Sequence, residues 1–496
     1  MKILVANRGE IAVRIIRACR DLGYTSVAVY SEQDREALHT RYADEAVYIG
    51  PTPAAQSYLN IDAVLKAAQK SKAEAIHPGY GFLSENAAFA EKVERAGFIF
   101  IGPYPKSISL AGDKLAARRI AAEAGVPVLP GGEIKHSDGN IPSLIKEEIG
   151  YPALVKAVSG GGGRGIRLAH NNEELTQMVA VASQEAELAF GDGQVYIEKF
   201  IQPARHIEVQ ILGDGKGNVL VLGERECSIQ RRHQKLIEEA PAPSLDKEVR
   251  AHLYEAARQV GLALNYRSLG TVEFLLDAEQ NFYFIEVNPR LQVEHPITEM
   301  VTGIDLVNAQ ILLAASGCLT LQQERVKRRG WAIEARIIAE DPDQSFMPTN
   351  GKISYLQIPS GSGVRVDSAL YEGMRITTDY DSLIAKLIIW GEDRATAIRR
   401  MIGALEDFNI AGVTTDLAYL RDVVRSEAFL SGQVDTMYLE SIQFCEPPDA
   451  DKLVQEAALA VALYLNKKNK QKAPQVKAEA NSWQLAAWRE QMNASF

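Results

Sequence analysis

The stretch Phe284-Ile285-Glu286-Val287-Asn288-Pro289-Arg290-Leu291-Gln292-Val293-Glu294-His295 sets acids, amides and a guanidinium into one strand and the turn after it. Glu273 precedes Glu286 within the apolar run Thr271 to Leu276, and Asp277-Ala278-Glu279-Gln280-Asn281 between the two runs reads as a hairpin turn. A hairpin symmetric about that turn makes Glu273 and Glu286 face each other. Carboxylates directly opposite on neighbouring strands repel unless a cation or a proton sits between them. Asn288 shares their face by the alternation of a strand. Such an all-oxygen set suits Mg²⁺ or Mn²⁺ rather than zinc. The apolar residues Phe282, Tyr283, Phe284 and Ile285 argue for a buried strand, in which acids need partners, against an exposed hairpin whose glutamates face water.

Just past the hairpin, Arg290, Gln292 and Glu294 combine a guanidinium fork, an amide and a carboxylate, a set that suits a small planar anion and offers one base. Upstream, Ser159-Gly160-Gly161-Gly162-Gly163-Arg164-Gly165 lies between two expected strands, Ala153 to Val158 and Ile166 to Leu168. Its N–H groups are free to wrap an anion with no side chain in the way, and Lys114 and Lys156 are at hand for the same phosphates. A plain flexible turn is the competing reading, and the spacing is not that of a P-loop. Glu198-Lys199-Phe200-Ile201 offers a carboxylate and backbone groups to a purine edge, or is an ordinary strand end. The run Glu224 to Pro243 mixes fixed positive charge with His233 and amides, which suits a small oxyanion; a solvated charged loop competes. Arg336 has Glu334 and Glu340 nearby, so a structural ion pair competes evenly with a catalytic role.

A chain of 496 residues is too long for one core, and its net charge of −10 argues against nucleic acid as the main partner. The four cysteines, Cys19, Cys227, Cys318 and Cys445, are widely spaced, so neither a zinc site nor a disulfide framework is indicated and a reducing cytoplasm is expected. With the strand Lys2 to Ala6 at the start no signal peptide is expected, and the late apolar run Ala457 to Leu465 is too short to span a bilayer. That strand, a helix Glu10 to Leu22 and a strand Ser26 to Tyr30 begin an open α/β sheet, without the glycine fingerprint of dinucleotide binding.

The motifs Ala6-Asn7-Arg8-Gly9-Glu10-Ile11-Ala12, His77 to Asn86, Gly160 to Gly165, Gln230-Arg231-Arg232-His233-Gln234-Lys235 with Glu238 to Pro243, and Glu286 to His295 together resemble the ATP-grasp enzymes, and among them biotin carboxylase. The resemblance implies an α/β (α+β) fold: a Rossmann-like N-terminal domain over 1–111, an ATP-grasp domain over 112–326 with a mobile lid over about 130–201, and a biotin carboxylase C-terminal domain over 327–445. A helical extension over 446–496 follows. It implies carboxylation of biotin on a separate carrier protein from MgATP (or MnATP) and bicarbonate. It places phosphates on Lys114, Lys156, Gly160, Gly161, Gly162, Gly163 and Gly165, and the adenosine near Glu198, Lys199, His206, Gln230, His233 and Leu275. The metal falls on Glu273, Glu286 and Asn288, and bicarbonate on Lys235, Arg290, Gln292 and Val293. Glu294 becomes the base that activates bicarbonate to form carboxyphosphate, Arg336 the stabiliser of the biotin enolate, and Tyr80 a neighbour of biotin.

The extension is similar to that of the biotin carboxylase subunits of split pyruvate carboxylases and of some acyl-CoA carboxylases. Its lysine-rich linker, 466–480, and the segment with Trp483 and Trp488 suit docking of a partner protein or a frayed tail. The only Met-Lys pair is Met1-Lys2, so the biotinylated lysine and the carboxyltransferase are expected on other chains. A homodimer is expected, with Arg14 and Arg17 at its interface or facing solvent.

Overall fold

Apolar runs too short for helices build the first sheet. The computed structural model describes residues 1–134, 149–157, 167–190, 193–442 and 458–464. In space the sheet runs Glu45–Gly50, Thr25–Ser31, Lys2–Val5, Ala75–His77, Ile99–Phe100, every neighbour parallel. Central parallel strands are covered on both faces, hence the unbroken apolar reading of Ile3, Leu4 and Val5. The helix Gly9–Asp21 lays Ile11, Ala12, Ile15 and Ile16 on one face of this sheet. At its start Asn7 Nδ2 donates to the carbonyls of Pro78 and Tyr80, both at 2.7 Å, which anchors the turn-rich loop after His77. Gly79 has φ +65°, and a Cβ there would stand 2.9 Å from Asn7 Nδ2, so amide and glycine require each other.

The second sheet is antiparallel and eight-stranded, in the order Phe282–Asn288, Arg267–Leu276, Arg205–Asp214, Val219–Arg231, Gln234–Ala240, Trp331–Ile338, Leu383–Gly391, Val364–Ser368. It crosses residue 326 without a break, so the expected ATP-grasp and C-terminal domains share one hydrogen-bonded sheet. The run Glu224 to Pro243 is mostly strand rather than solvated loop. Arg232 (φ 49°) and His233 (φ 62°) form a two-residue turn, left-handed at both positions as a tight hairpin requires, and Glu224, Arg225, Glu226, Glu238 and Glu239 on either side are buried.

A third sheet has the order Gly131–Ile134, Val195–Lys199, Ala153–Ala157, Arg167–Ala169, and the helix Asn172–Phe190 packs on it through Leu175, Val179 and Ala182. The strand expected over Ile166 to Leu168 is described from Arg167, and Ile166 lies outside the described residues. Residues 1–442 form one compact unit and 443–496 a second. The tail helix expected over Asp451 to Leu465 is described only at 458–464, where it is helical; the linker and the two tryptophans lie outside the described residues. Among the described residues no single helix is long and apolar enough to cross a membrane.

Candidate active site

The turn Asp277–Asn281 closes as the sequence suggests, with Asp277 N–H donating to Asn281 O at 2.9 Å and Asn281 N–H to Asp277 Oδ1 at 2.8 Å. The register pairs Glu273 with Glu286, Val272 with Val287 and Thr271 with Asn288. The two carboxylates differ in their surroundings. Glu273 is met by Lys235 Nζ at 2.8 Å, Asn288 Nδ2 at 2.8 Å and His206 Nε2 at 2.9 Å. Burial pushes its pKa up, but Lys235 and His206 outweigh that and hold it well below the usual carboxylate range. Burial likewise lowers the pKa of His206, and Glu273 more than restores it, so the net shift is upward.

Glu286 is half-buried and, among the described residues, has no hydrogen bond or ion pair; burial and then Glu273 raise its pKa, with Lys114 the opposing charge. A carboxylate without a partner, facing a second one, is where a divalent cation fits. Glu273 and Glu286 fit as its ligands. Asn288 fits once its amide turns, since its Oδ1 now accepts from Arg290 Nη2 at 3.2 Å.

Behind the hairpin lies a network of alternating charge. Lys235 Nζ donates to Glu208 Oε2 at 2.6 Å, Glu273 Oε1 at 2.8 Å and Glu294 Oε1 at 2.8 Å. The Arg336 Nε donates to Glu238 Oε1 at 2.6 Å and its Nη2 to Glu294 Oε2 at 3.0 Å. Fully buried Arg225 binds Glu208, Gln210 Oε1 at 2.8 Å, Thr298 Oγ1 at 2.9 Å and Thr271 Oγ1 at 3.1 Å. Burial drives the Glu294 pKa up, yet Lys235, Arg336 and Arg225 bring it well below the ordinary value, so the group is a carboxylate. The same burial, with Glu294 adding to it, raises Glu238 to about 7 against the pull of Arg336.

In the adjoining turn Arg290 Nη1 donates to Gln292 Oε1 at 2.8 Å, and its Nε to Glu85 of the His77 to Asn86 loop. Gln292 Nε2 is buried and, among the described residues, has no hydrogen-bond partner, which leaves a donor for an anionic ligand. The Tyr80 hydroxyl donates to Glu10.

On the opposite side, Lys114 opens the helix Lys114–Glu123, whose N-cap Asp113 accepts from the N–H groups of Leu115 and Ala116 at 3.0 Å. Burial lowers the Lys114 pKa, Glu286 offsets this, and Lys156 adds to the lowering, which sets the two lysines near each other. Lys156 pairs with Glu198, while Lys199 is exposed. His206 stands opposite Leu275, and Gln230 Nε2 lies 3.5 Å from His206 Nδ1; His233 is on the exposed turn. Residues Gly160, Gly161, Gly162, Gly163 and Gly165 lie outside the described residues.

Two sequence readings change. Arg336 makes its ion pairs with Glu238 and Glu294 rather than Glu334 or Glu340; Glu340 takes Arg231 at 2.6 Å instead. Arg14 is buried against Glu299 at 2.9 Å and Asp305 at 2.7 Å rather than facing solvent. The structure adds Glu208, Arg225, Glu238 and Lys386, to which sequence reasoning assigns no role. Alternation of His206, Glu208 and Gln210 along one strand is the available signal for Glu208; its cross-strand neighbour Arg225 follows only from register.

The facing Glu273 and Glu286, Lys114 at a helix start with Lys156 on the strand Ala153–Ala157, and Glu294 held by Lys235 and Arg336 are the charged groups this region brings together. Residues 1–108 match the biotin carboxylase N-terminal domain, 113–322 the ATP-binding domain of the carbamoyl-phosphate synthase large chain, and 334–441 the biotin carboxylase C-terminal domain. The chain is 49% identical over 445 residues to the biotin carboxylase of Pseudomonas aeruginosa, covering 88% of this chain and 98% of that protein. It is 49% identical to a pyruvate carboxylase subunit of Methanothermobacter thermautotrophicus, with 92% of each chain covered. The biotin carboxylase domain of Hydrogenobacter thermophilus 2-oxoglutarate carboxylase, solved as a dimer with MgADP, ADP and bicarbonate, superposes with TM-score 0.86 at 47% identity, over 90% of this chain and 99% of that one. The chain belongs to the biotin carboxylase family of ATP-dependent ligases.

Proposed function

We propose that the chain carboxylates biotin borne on a separate carrier protein, spending ATP and bicarbonate through carboxyphosphate, and serves as the biotin carboxylase component of a multi-subunit carboxylase. The observation that carries this is Glu294, fully buried and hydrogen-bonded to both Lys235 and Arg336 beside the open amide of Gln292. As a carboxylate it is in the proton-accepting form. Bicarbonate and phosphate oxygens draw Lys235 and Arg336 to themselves, which relaxes their hold on Glu294 and lifts its basicity when substrate is present. Arg290, Gln292 and Val293 orient bicarbonate, and Arg336, released from Glu294, meets the enolate oxygen of biotin beside Tyr80.

Glu273, Glu286 and Asn288 would hold a divalent ion, which would supply neutralisation of phosphate charge. Lys114, together with Lys156 and the glycines 160–163 and 165 of a lid over about 130–201, supplies the rest. The adenosine lies among Glu198, Lys199, His206, Gln230, His233 and Leu275. We place the domains at 1–111, 112–326, 327–445 and 446–496, with two chains forming a homodimer in the cytoplasm.

Pyruvate is the acceptor we put first. The stand-alone biotin carboxylase is matched over nearly its whole length by 88% of this chain, whereas the pyruvate carboxylase subunit and this chain cover 92% of each other, so that protein is similar to this chain in length. Residues 466–496 then dock the carrier and the carboxyltransferase. ADP release by the purified chain with MgATP tests the reading. Release that depends on bicarbonate and rises with free biotin supports it, and release indifferent to both sinks it. Removing residues 466–496 should leave free-biotin turnover within twofold; a collapse there would make the tail part of the catalytic unit.

A further inference from the structure

Lys386 has no solvent exposure and is itself assigned no substrate contact, yet three parts of the fold converge on it. It sits on the strand Leu383–Gly391, opposite Arg336 on one side and Asp367 on the other. Its Nζ donates to the carbonyl of Val293 at 2.8 Å and lies 3.2 Å from Glu10 Oε1. That same Glu10 oxygen accepts the hydroxyl of Tyr80, and Lys386 Nζ is 5.7 Å from the centre of the Tyr80 ring. Glu10 Oε2 is buried and, among the described residues, has no hydrogen-bond partner. The carbonyl of Val293 belongs to the peptide whose nitrogen is that of Glu294. One ammonium therefore ties the peptide preceding the base to the acid that holds the tyrosine.

A buried lysine is a poor device for stability alone, since an apolar side chain of similar volume avoids the desolvation of the charge. Its three donors do what an apolar residue cannot: fix a backbone carbonyl and a carboxylate at set distances from one another. The preceding carbonyl in the turn, Gln292 O, is held separately by His295 Nδ1 at 2.8 Å, so each peptide leading into Glu294 has its own anchor.

We propose that Lys386 is a positioning residue for biotin carboxylation, fixing the Val293–Glu294 peptide directly and the Tyr80 ring through Glu10, so that the bicarbonate end and the biotin end of the site keep one spacing. The proposal rests on the reading that Val293 and Glu294 serve bicarbonate and Tyr80 serves biotin. Its two limbs are separable. Lys386→Met cuts both, whereas Tyr80→Phe and Glu10→Gln alter only the limb to biotin and leave the ammonium on Val293.

The experiment is steady-state ADP release by the full chain, with KM measured separately for ATP, bicarbonate and free biotin. Lys386→Met should raise the KM for bicarbonate and for biotin on the order of tenfold each, with the KM for ATP within twofold. Tyr80→Phe and Glu10→Gln should raise the KM for biotin alone by several-fold. A folded Lys386→Met enzyme that loses kcat with all three KM values unchanged, or whose ATP KM rises equally, overturns the positioning role. Should Lys386→Met fail to fold, the other two variants decide: an unchanged biotin KM in both overturns the proposal. A wild-type chain with no bicarbonate-dependent, biotin-stimulated release fells the underlying reading and this assignment with it.

Discussion

Lys235 and Lys156, both proposed to meet anions, are held in opposite ways. Lys235 stands on the eight-stranded sheet with three carboxylates within 2.8 Å, and two of these, Glu208 and Glu294, are gripped again by Arg225 and Arg336. Lys156 stands on the small sheet and, among the described residues, pairs with Glu198, over a small core that includes Ile149, Val155, Leu175 and Ile197. The first arrangement is over-determined: removing one bond leaves the others to define the position of the charge. In the second, an arriving phosphate has one competitor to displace, and the element carrying the lysine has little buried area to resist adjustment. Proton transfer needs a fixed geometry, whereas a cover over a triphosphate has to open and close.

Glu294→Gln strikes the over-determined side at its centre and should have the largest effect. The amide keeps the volume but cannot accept the proton, so bicarbonate-dependent ADP release should fall about 10³-fold while nucleotide affinity by equilibrium titration stays within twofold. Loss of ATP binding would instead mean that Glu294 shapes the nucleotide end, and the division between the two regions would be wrong. Arg225→Met tests rigidity rather than chemistry. It leaves fully buried Glu208 without its main partner, and breaking a buried pair from one side costs about 3–5 kcal/mol. Urea denaturation of the variant should show a midpoint shifted well down; a shift of under about 1 kcal/mol would show that Lys235 alone satisfies Glu208.

The uneven legibility of these regions in the sequence has the same physical root. The Glu273/Glu286 pair can be read because hairpin register follows from local turn chemistry, and facing acids announce a cation. The Ala6 to Ala12 motif is visible as a pattern, but its work is not: Asn7 holding the carbonyls of Pro78 and Tyr80, and Glu10 taking the Tyr80 hydroxyl, depend on contacts some seventy residues apart. Sequence reasoning sets Arg336 against its neighbours Glu334 and Glu340, whereas its partners come from the adjacent strand and from the turn after the hairpin. For Glu224, Arg225 and Glu226 a solvated charged loop stays open as a competing reading, because nothing local in that run reveals that both faces of its strand are covered. Charged strands are buried here by virtue of cross-strand partners, and pairing between distant strands is not written in local periodicity.

The smallest expected effect belongs to the other lysine. Lys156→Met removes one charge-assisted contact to phosphate and leaves Lys114 in place, so the KM for ATP should rise on the order of tenfold, equivalent to about 1.4 kcal/mol. The bicarbonate KM should stay within twofold, since the residues proposed for bicarbonate lie on the other sheet and in the turn beside it. Glu198 is left buried without its cation, which removes some stability from the small sheet only. Hydrogen exchange separates the two regions directly: amides of Val195–Lys199 should exchange faster in the variant, while those of Val219–Arg231 keep the wild-type rate. Equal acceleration in both strands would mean that the small sheet is braced by the large one, and that closure over the nucleotide carries the catalytic sheet with it.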